Sequence, residues 1–252
     1  MPDDPRVELS TQEGVAVLIL RNPPGNRLTR SMVRNLAEHV AEVEKDEGVR
    51  AVLVSGEGDF CAGVDLDEWA ALTPKEAQDE IQRGFEALWA LEHLTKPTVA
   101  AISGRCEGAG LELALACDLR VSADNAVFAL PQVDLAWMPS HGGTARLPRL
   151  VGRSRAMELL LTGKRLKALD ALRYGLVDHL AASGEADREA LALAQVLAGK
   201  SRAAVRAIKR AVTQGEEKPY RNRFLLEAQH AAQLLGTEDY ERARASIRGK
   251  RK

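Results

Sequence analysis

The sequence predicts an α/β protein, and three observations carry that expectation. Short β-branched runs alternate with segments of helical periodicity through the first two thirds of the chain. Glycine-bearing loops follow two of those runs. Past about residue 187 the alternation gives way to helix alone.

The first strand is VAVLIL at 15–20, stopped by NPPGN, and RAVLVSG at 50–56 is the second. Between them SMVRNLAEHVAEVEKD carries Met32, Leu36, His39, Val40 and Val43 at helical spacing with charges opposite, as expected of a helix laid on a sheet. DFCAGVDLDEW reads as a loop. The segment from Thr73 to about Leu94 is helical through Ile81, Phe85, Leu88 and Leu91, and Pro97 bars its continuation. PTVAAISG (97–104) and DLRVSA (118–123) are further strands, separated by EGAGLELALACD, a glycine turn opening into an apolar helix. FALPQVDLAWMPSHGGTARLPRLVG reads as mixed strand and loop with a helix-entry turn at Gly142 and Gly143. SRAMELLLT (154–162) and KALDALRY (167–174) are short helices, and alanine-rich 187–212 is helical by propensity. A last helix spans about 221–235, followed by GTEDYERARASIRGK. The one boundary is soft and falls near 187, dividing a core at 1–187 from a helical region at 188–252. The closing RGKRK reads as a solvated tail, with contact to a ligand phosphate as the alternative.

At 252 residues and 45% hydrophobic content the chain can bury a substantial core. A formal net charge of -1 supplies no general field for nucleic acid or an anionic membrane, so an anionic ligand needs a local site. No apolar run is long enough to span a bilayer and MPDDPRVELS is unlike a signal peptide, which makes a soluble, cytoplasmic protein the expectation. Cys61, Cys106 and Cys117 lack paired spacing and read as buried free thiols, with neither a disulfide framework nor a metal site.

Gly108 and Gly110 flank Ala109 at a strand-to-helix turn. Two roles are open: a tight connection whose glycines permit packing, or a turn that brings backbone N–H groups and a positive dipole end close to an anion. The GxGxxG and Gly-Lys-Ser/Thr spacings are absent, so the turn is neither a dinucleotide fingerprint nor a phosphate loop. Glu112, in the first helical turn, is flanked by Leu111, Leu113, Ala114 and Leu115, which argues against free solvation. A first-turn acid favours the dipole; a carboxyl group in apolar surroundings also suits general acid/base catalysis. A second glycine loop, FCAGVDL (60–66), follows a strand too, and two such loops can give one N–H each to a carbonyl oxygen.

The chain resembles the crotonase superfamily, the enoyl-CoA hydratase/isomerase group. The resemblance rests on NPPGNRLT, FCAGVDL, KPTVAAISGRCEGAGLELALACDLRVSADNAVFALPQ, HGGTARLPRLVG, AMELLLTGKRLKALDALRYGLVD and TEDYERA, in the family's order over nearly the whole chain. It implies a spiral of repeated ββα units holding the acyl-CoA site in 1–187, and C-terminal helices that build a trimer, commonly paired into a hexamer. It implies an acyl-CoA thioester as ligand, with coenzyme A part of the substrate and no separate cofactor or metal. Val64 and Ala109 would give the oxyanion-hole N–H groups, and the loop holding Ala62, Asp65 and Leu66 would grip the adenine. Glu112 corresponds to the first of two catalytic glutamates of family hydratases. The second position holds Gln132, an amide that can hold water but carries no proton near neutral pH.

Asp134, Ser140 and His141 are the candidates to compensate. Asp134 shares a face with Gln132 if the segment is extended; otherwise it is a surface acid. Ser140 stands where some family members carry aspartate and can bond a water. His141 titrates in a useful range, against a capping or packing role. Trp69, Leu72, Phe85, Trp89 and Trp137 are candidates for an acyl pocket, though amphipathic core positions explain them equally well. The remaining histidines, His39, His93, His179 and His230, have no motif context. The leading expectation is reversible hydration of a 2-enoyl-CoA to a 3-hydroxyacyl-CoA with one glutamate. Isomerisation, thioester hydrolysis or decarboxylation on the same scaffold, or acyl-CoA binding without catalysis, are the alternatives.

Overall fold

The computed structural model describes residues 4–215, 218–235 and 237–249. It opens on a strand the sequence does not announce. Strands β1 (Arg6–Gln12) and β2 (Val15–Arg21) form an antiparallel hairpin. Its two-residue turn, Glu13 and Gly14, has both φ angles positive, the conformation whose twist matches that of paired strands. Only Val7 of β1 is fully buried, so the strand lacks the apolar alternation that would betray it.

Helix α1 (Arg30–Lys45) is capped by Thr29, whose Oγ1 accepts from the Met32 N–H, and it buries Met32, Leu36, Val40 and Val43. Strand β3 (Ala51–Gly56) leads to α2 (Leu66–Ala70) and α3 (Pro74–Glu92), the latter opened by a Thr73/Glu76 capping box. Then β4 (Thr98–Ile102), β5 (Arg105–Glu107) and α4 (Ala109–Leu115) form one unit. A second consists of β6 (Leu119–Ala123), β7 (Val127–Ala129), a 3₁₀ helix (Pro131–Leu135) and α5 (Gly143–Val151). Helix α6 (Arg153–Thr162), β8 (Leu166–Lys167), α7 (Ala168–Tyr174) and β9 (His179–Ala181) complete the strand-bearing part. Helices α8 (Ala186–Ala198), α9 (Arg202–Gly215), α10 (Tyr220–Leu234) and α11 (Glu238–Gly249) follow.

The larger sheet runs β1-β2-β3-β4-β6-β9, parallel throughout beyond the hairpin, and a smaller one runs β5-β7-β8. In each unit the first strand joins the larger sheet and the second the smaller before the chain turns into helix, the repeated ββα arrangement of the resemblance. One face of the larger sheet, with Leu18, Val52, Val54 and Ile102, packs beneath α1, α3 and α4. The other, with Val17, Leu53, Val99 and Val121, receives Ala186, Ala190, Ala194 and Ala198 of α8, a small-residue stripe at helical spacing that lets the helix lie close.

Two expectations need correction. The helical stretch 187–212 is two helices, broken at Gly199–Ser201, because Gly199 closes α8 and Ser201 accepts from the Ala204 N–H to open α9. The boundary expected near 187 falls at the start of α8 (Ala186–Ala198), whose alanines pack on the larger sheet. The segment 127–152 is mostly helical: only Val127–Ala129 is strand, followed by the 3₁₀ helix and α5. Residues 250–252 of the basic tail lie outside the described residues. Among the described residues no helix is long and apolar enough to cross a membrane.

All three cysteines are buried and free, and burial pushes the Cys61 and Cys117 thiols up to about 12. Helix α9 is tied to the sheet by Lys209, whose buried ammonium donates to the Lys96 carbonyl (3.0 Å) and to Asp118 Oδ2 (2.7 Å). The same carboxylate accepts from the Thr98 N–H and hydroxyl at the start of β4. Asp118→Ala strands a buried cation and should cost about 3 kcal/mol in urea unfolding, with Lys209→Met recovering part of it in the double variant.

Candidate active site

The site forms where two loops touch. The backbone at Cys61 pairs with Cys106 of β5: the Cys61 N–H donates to the Arg105 carbonyl and the Glu107 N–H to the Cys61 carbonyl. The following turn pairs Val64 with Leu28. Gly63 (φ 104°) and Gly108 (φ 54°) both lie in backbone regions that side chains avoid. A Cβ at Gly108 would stand 3.4 Å from Gly63 Cα, and one at Gly63 would stand 4.0 Å from Ala109 N. Gly110 is the tightest point, since a Cβ there would fall 2.2 Å from the Cys61 carbonyl oxygen. Gly110 is thus required by the close backbone approach, and Gly63 and Gly108 by their backbone conformation.

Two N–H groups at this contact stand outside the backbone ladders. The loop's ladder uses the N–H groups of Ala62 and Asp65, which donate to Gly25 and Leu28. The Val64 N–H stays out of that ladder, and Ala109, as the first residue of α4, has no intrahelical acceptor. Both residues line the chamber that also holds Glu112 and Gln132.

Glu112 is fully buried. Its Oε1 accepts the backbone N–H groups of His141 (2.7 Å) and Gly143 (2.8 Å). Gly143 opens α5, so the carboxylate of an α4 residue is held at the N-terminus of a different helix. A Cβ on Gly143 would lie 3.1 Å from Glu112 Oε1. Oε2 accepts one long hydrogen bond, from Gln132 Nε2 at 3.5 Å, and has His141 Nδ1 3.6 Å away. The other end of that amide, Gln132 Oε1, is buried without a partner. One carboxylate oxygen is anchored, and the other is available beside an amide acceptor with unused capacity.

Among the compensating candidates, Ser140 and His141 line this chamber and Asp134 does not. Asp134 is exposed because its segment is a 3₁₀ helix, in which residues two apart do not share a face, and its carboxylate lies beside Gly163. In the 62–66 loop, Ala62 and Leu66 line the chamber, whereas the Asp65 side chain caps α2 by accepting from the Asp67 and Glu68 N–H groups. Of the apolar candidates only Trp69 and Trp137 reach the site, with ring centroids 5.0 Å apart. Phe85 and Trp89 sit together on the exposed side of α3, Trp89 stacked on His93. A second, apolar pocket shares Val64 and Ala109 with the chamber and runs between Leu28, Leu36, Trp69 and Leu88. Arg27, Leu135 and Met138 also line the chamber. Sequence reasoning did not single these out, though Arg27 falls inside NPPGNRLT.

Residues 10–252 match the enoyl-CoA hydratase/isomerase family model. The short-chain-enoyl-CoA hydratase of Clostridium acetobutylicum is 32% identical over 98% of this chain and 95% of its own. The mitochondrial enoyl-CoA hydratase domain-containing protein 2 of Mus musculus is 37% identical over 95% of this chain and 83% of its own. An enoyl-CoA hydratase crystal structure from Bacillus anthracis superposes with a TM-score of 0.93 at 31% identity, covering 97% and 96% of the two chains. The chain belongs to the enoyl-CoA hydratase/isomerase family, within the crotonase superfamily.

Asp59 fixes the loop that carries Val64. It accepts from the Arg105 N–H (2.7 Å), Nε (2.9 Å) and Nη2 (2.7 Å). Burial acts to raise the Asp59 carboxyl, but the hydrogen bonds from Arg105 outweigh it and hold it below the usual aspartate range. A lowered carboxyl contributes stability above its unfolded value of about 3.9 and loses it as pH falls through the folded value. Asp59→Asn should therefore cost about 1–2 kcal/mol at neutral pH in denaturant unfolding, and the gap from wild type should close progressively below about pH 4.

Proposed function

We propose that this protein is an enoyl-CoA hydratase that adds water reversibly across the α,β double bond of a 2-enoyl-CoA to give a 3-hydroxyacyl-CoA. The observation that carries the reading is the convergence, in one chamber, of Glu112 Oε2, the unpartnered Gln132 Oε1 and the Val64 and Ala109 N–H groups. A water that donates one hydrogen to Glu112 Oε2 and the other to Gln132 Oε1 keeps its lone pairs free for Cβ. As its oxygen bonds to Cβ, the water's proton passes to Glu112 and the π electrons move onto the thioester oxygen. The Val64 and Ala109 N–H groups stabilise that enolate. Reprotonation at Cα through Glu112 completes the addition, since Gln132 orients and carries no proton. The same lack at Gln132 disfavours isomerisation, and the complete oxyanion turn disfavours a binder without catalysis.

In this reading coenzyme A enters as part of the substrate, with no further cofactor or metal in the steps. Arg27 and the main chain of the 62–66 loop flank its path, and the acyl chain extends into the apolar pocket beneath Trp69. Exposed Ile208, Val212, Phe224 and Leu225 on α9 and α10 support self-association as a homotrimer or a hexamer of paired trimers. Three buried free thiols suit a reducing compartment such as the cytoplasm.

Incubation with short 2-enoyl-CoA thioesters, followed by loss of conjugated absorbance, should show hydration. Glu112→Gln should lower kcat by about 1,000-fold or more, and Gln132→Glu should raise it by supplying a second proton carrier. No hydration at any chain length, or a Glu112→Gln variant as fast as wild type, contradicts the reading.

A further inference from the structure

In a hydratase with one carboxylate, Glu112 must both take the water's proton and return it to Cα, and a neighbour that steadies the protonated carboxyl assists both steps. The His141 ring is placed to do so. Its Nδ1 is buried, has no hydrogen-bond partner, and lies 3.6 Å from Glu112 Oε2, the oxygen free for chemistry. At that separation no hydrogen bond exists; a proton arriving on Oε2 would create one after a small closure.

The ring is held in place from several sides. Trp69 meets it edge-on, with centroids 6.2 Å apart and planes at 82°. Gly84 of α3 leaves room for it, because a Cβ there would fall 2.2 Å from His141 Cδ2 and 2.3 Å from Nε2. The backbone is fixed as well: the N–H donates to Glu112 Oε1, and the carbonyl accepts from Arg146 Nη1 at 2.7 Å. Arg146 is itself clamped by Glu92 through two hydrogen bonds of 3.0 and 2.7 Å. A capping role would need only the main chain, which any residue has. The unsatisfied, buried ring nitrogen aimed at the carboxylate is what that role leaves unexplained.

We propose that His141, neutral with its proton on Nε2, is the proton-holding partner of Glu112 and takes the part that a second carboxylate would otherwise play. This rests on the hydratase reading above. In the forward step the water's O–H bond breaks as its oxygen bonds to Cβ, and the proton goes to Glu112 Oε2, where Nδ1 accepts it in a shared hydrogen bond. The electron pair of the double bond moves to the thioester oxygen as enolate. The pair then releases the proton through Oε2 to Cα, the enolate electrons form the C–H bond, and Glu112 and His141 return to their starting states. His141 acts through Glu112, as a positioning and proton-sharing residue, without touching substrate.

The test is steady-state hydration of a short 2-enoyl-CoA by wild type, His141→Asn and His141→Asn/Gln132→Glu, with binding of the saturated acyl-CoA measured alongside. His141→Asn keeps the main-chain bond to Glu112 and should lower kcat by about 100-fold while KM and saturated-ligand affinity stay within about threefold. Adding Gln132→Glu should restore at least about tenfold of that loss, because a carboxyl group at 132 supplies the missing proton carrier. Unchanged kcat in His141→Asn overturns the proposal and leaves the hydratase reading standing. So does an equal loss of affinity, or a double variant as slow as the single one. A wild-type protein that hydrates no 2-enoyl-CoA overturns both.

Discussion

The contact between the Cys61–Val64 loop and the start of α4 is the constraint on which the rest of the site depends. Three glycines permit it, with Gly110 against the Cys61 carbonyl and Gly63 against Gly108. Because β3, which leads into the first loop, and β4, which leads through β5 to the second, are neighbours in the larger sheet, the sheet order brings the two loops together. Two N–H groups left outside the ladders are the product of that packing. In the proposed reaction these main-chain donors, fixed in direction by the packing, would meet the developing charge with little reorganisation.

Glu112 is the second consequence. A buried carboxylate without partners would be costly, and here the cost is offset by the N-terminus of α5, which gives two backbone N–H groups to a single oxygen. That asymmetry matters chemically. One oxygen is consumed by structure and orients the group; the other faces Gln132 and His141. The turn of His141 to Gly143 thus does two things at once, holding the acid by its main chain and presenting an imidazole beside it.

The sequence carries much of this. Strand and helix alternation, the two glycine loops and the isolated acid at 112 are all legible, since each depends on local periodicity or on residues that permit unusual backbone. What is not legible depends on distant parts of the chain. Nothing near Glu112 says that α5 will satisfy it, and the apolar pattern of α3 does not say that Phe85 and Trp89 face outward while Trp69 and Trp137 meet at the chamber. A strand-like spacing would put Asp134 on the face of Gln132, but the 3₁₀ turn that Pro131 begins leaves it the surface acid that the sequence also allows. Alanine propensity is high on both sides of Gly199, so the break between α8 and α9 rests on the local ending at Gly199 and the cap at Ser201. Strand β1 carries too few apolar residues to be read without its partner.

The central claim is that the glycine-built contact aims two main-chain N–H groups at the thioester oxygen with Glu112 beside the reacting carbons. A crystal structure with a saturated short acyl-CoA tests it most directly. The account predicts the thioester oxygen within about 3 Å of both the Val64 and the Ala109 nitrogen, with Glu112 the carboxylate nearest to Cα and Cβ. A thioester oxygen bound away from either N–H, or a different acid nearer to those carbons, would contradict it.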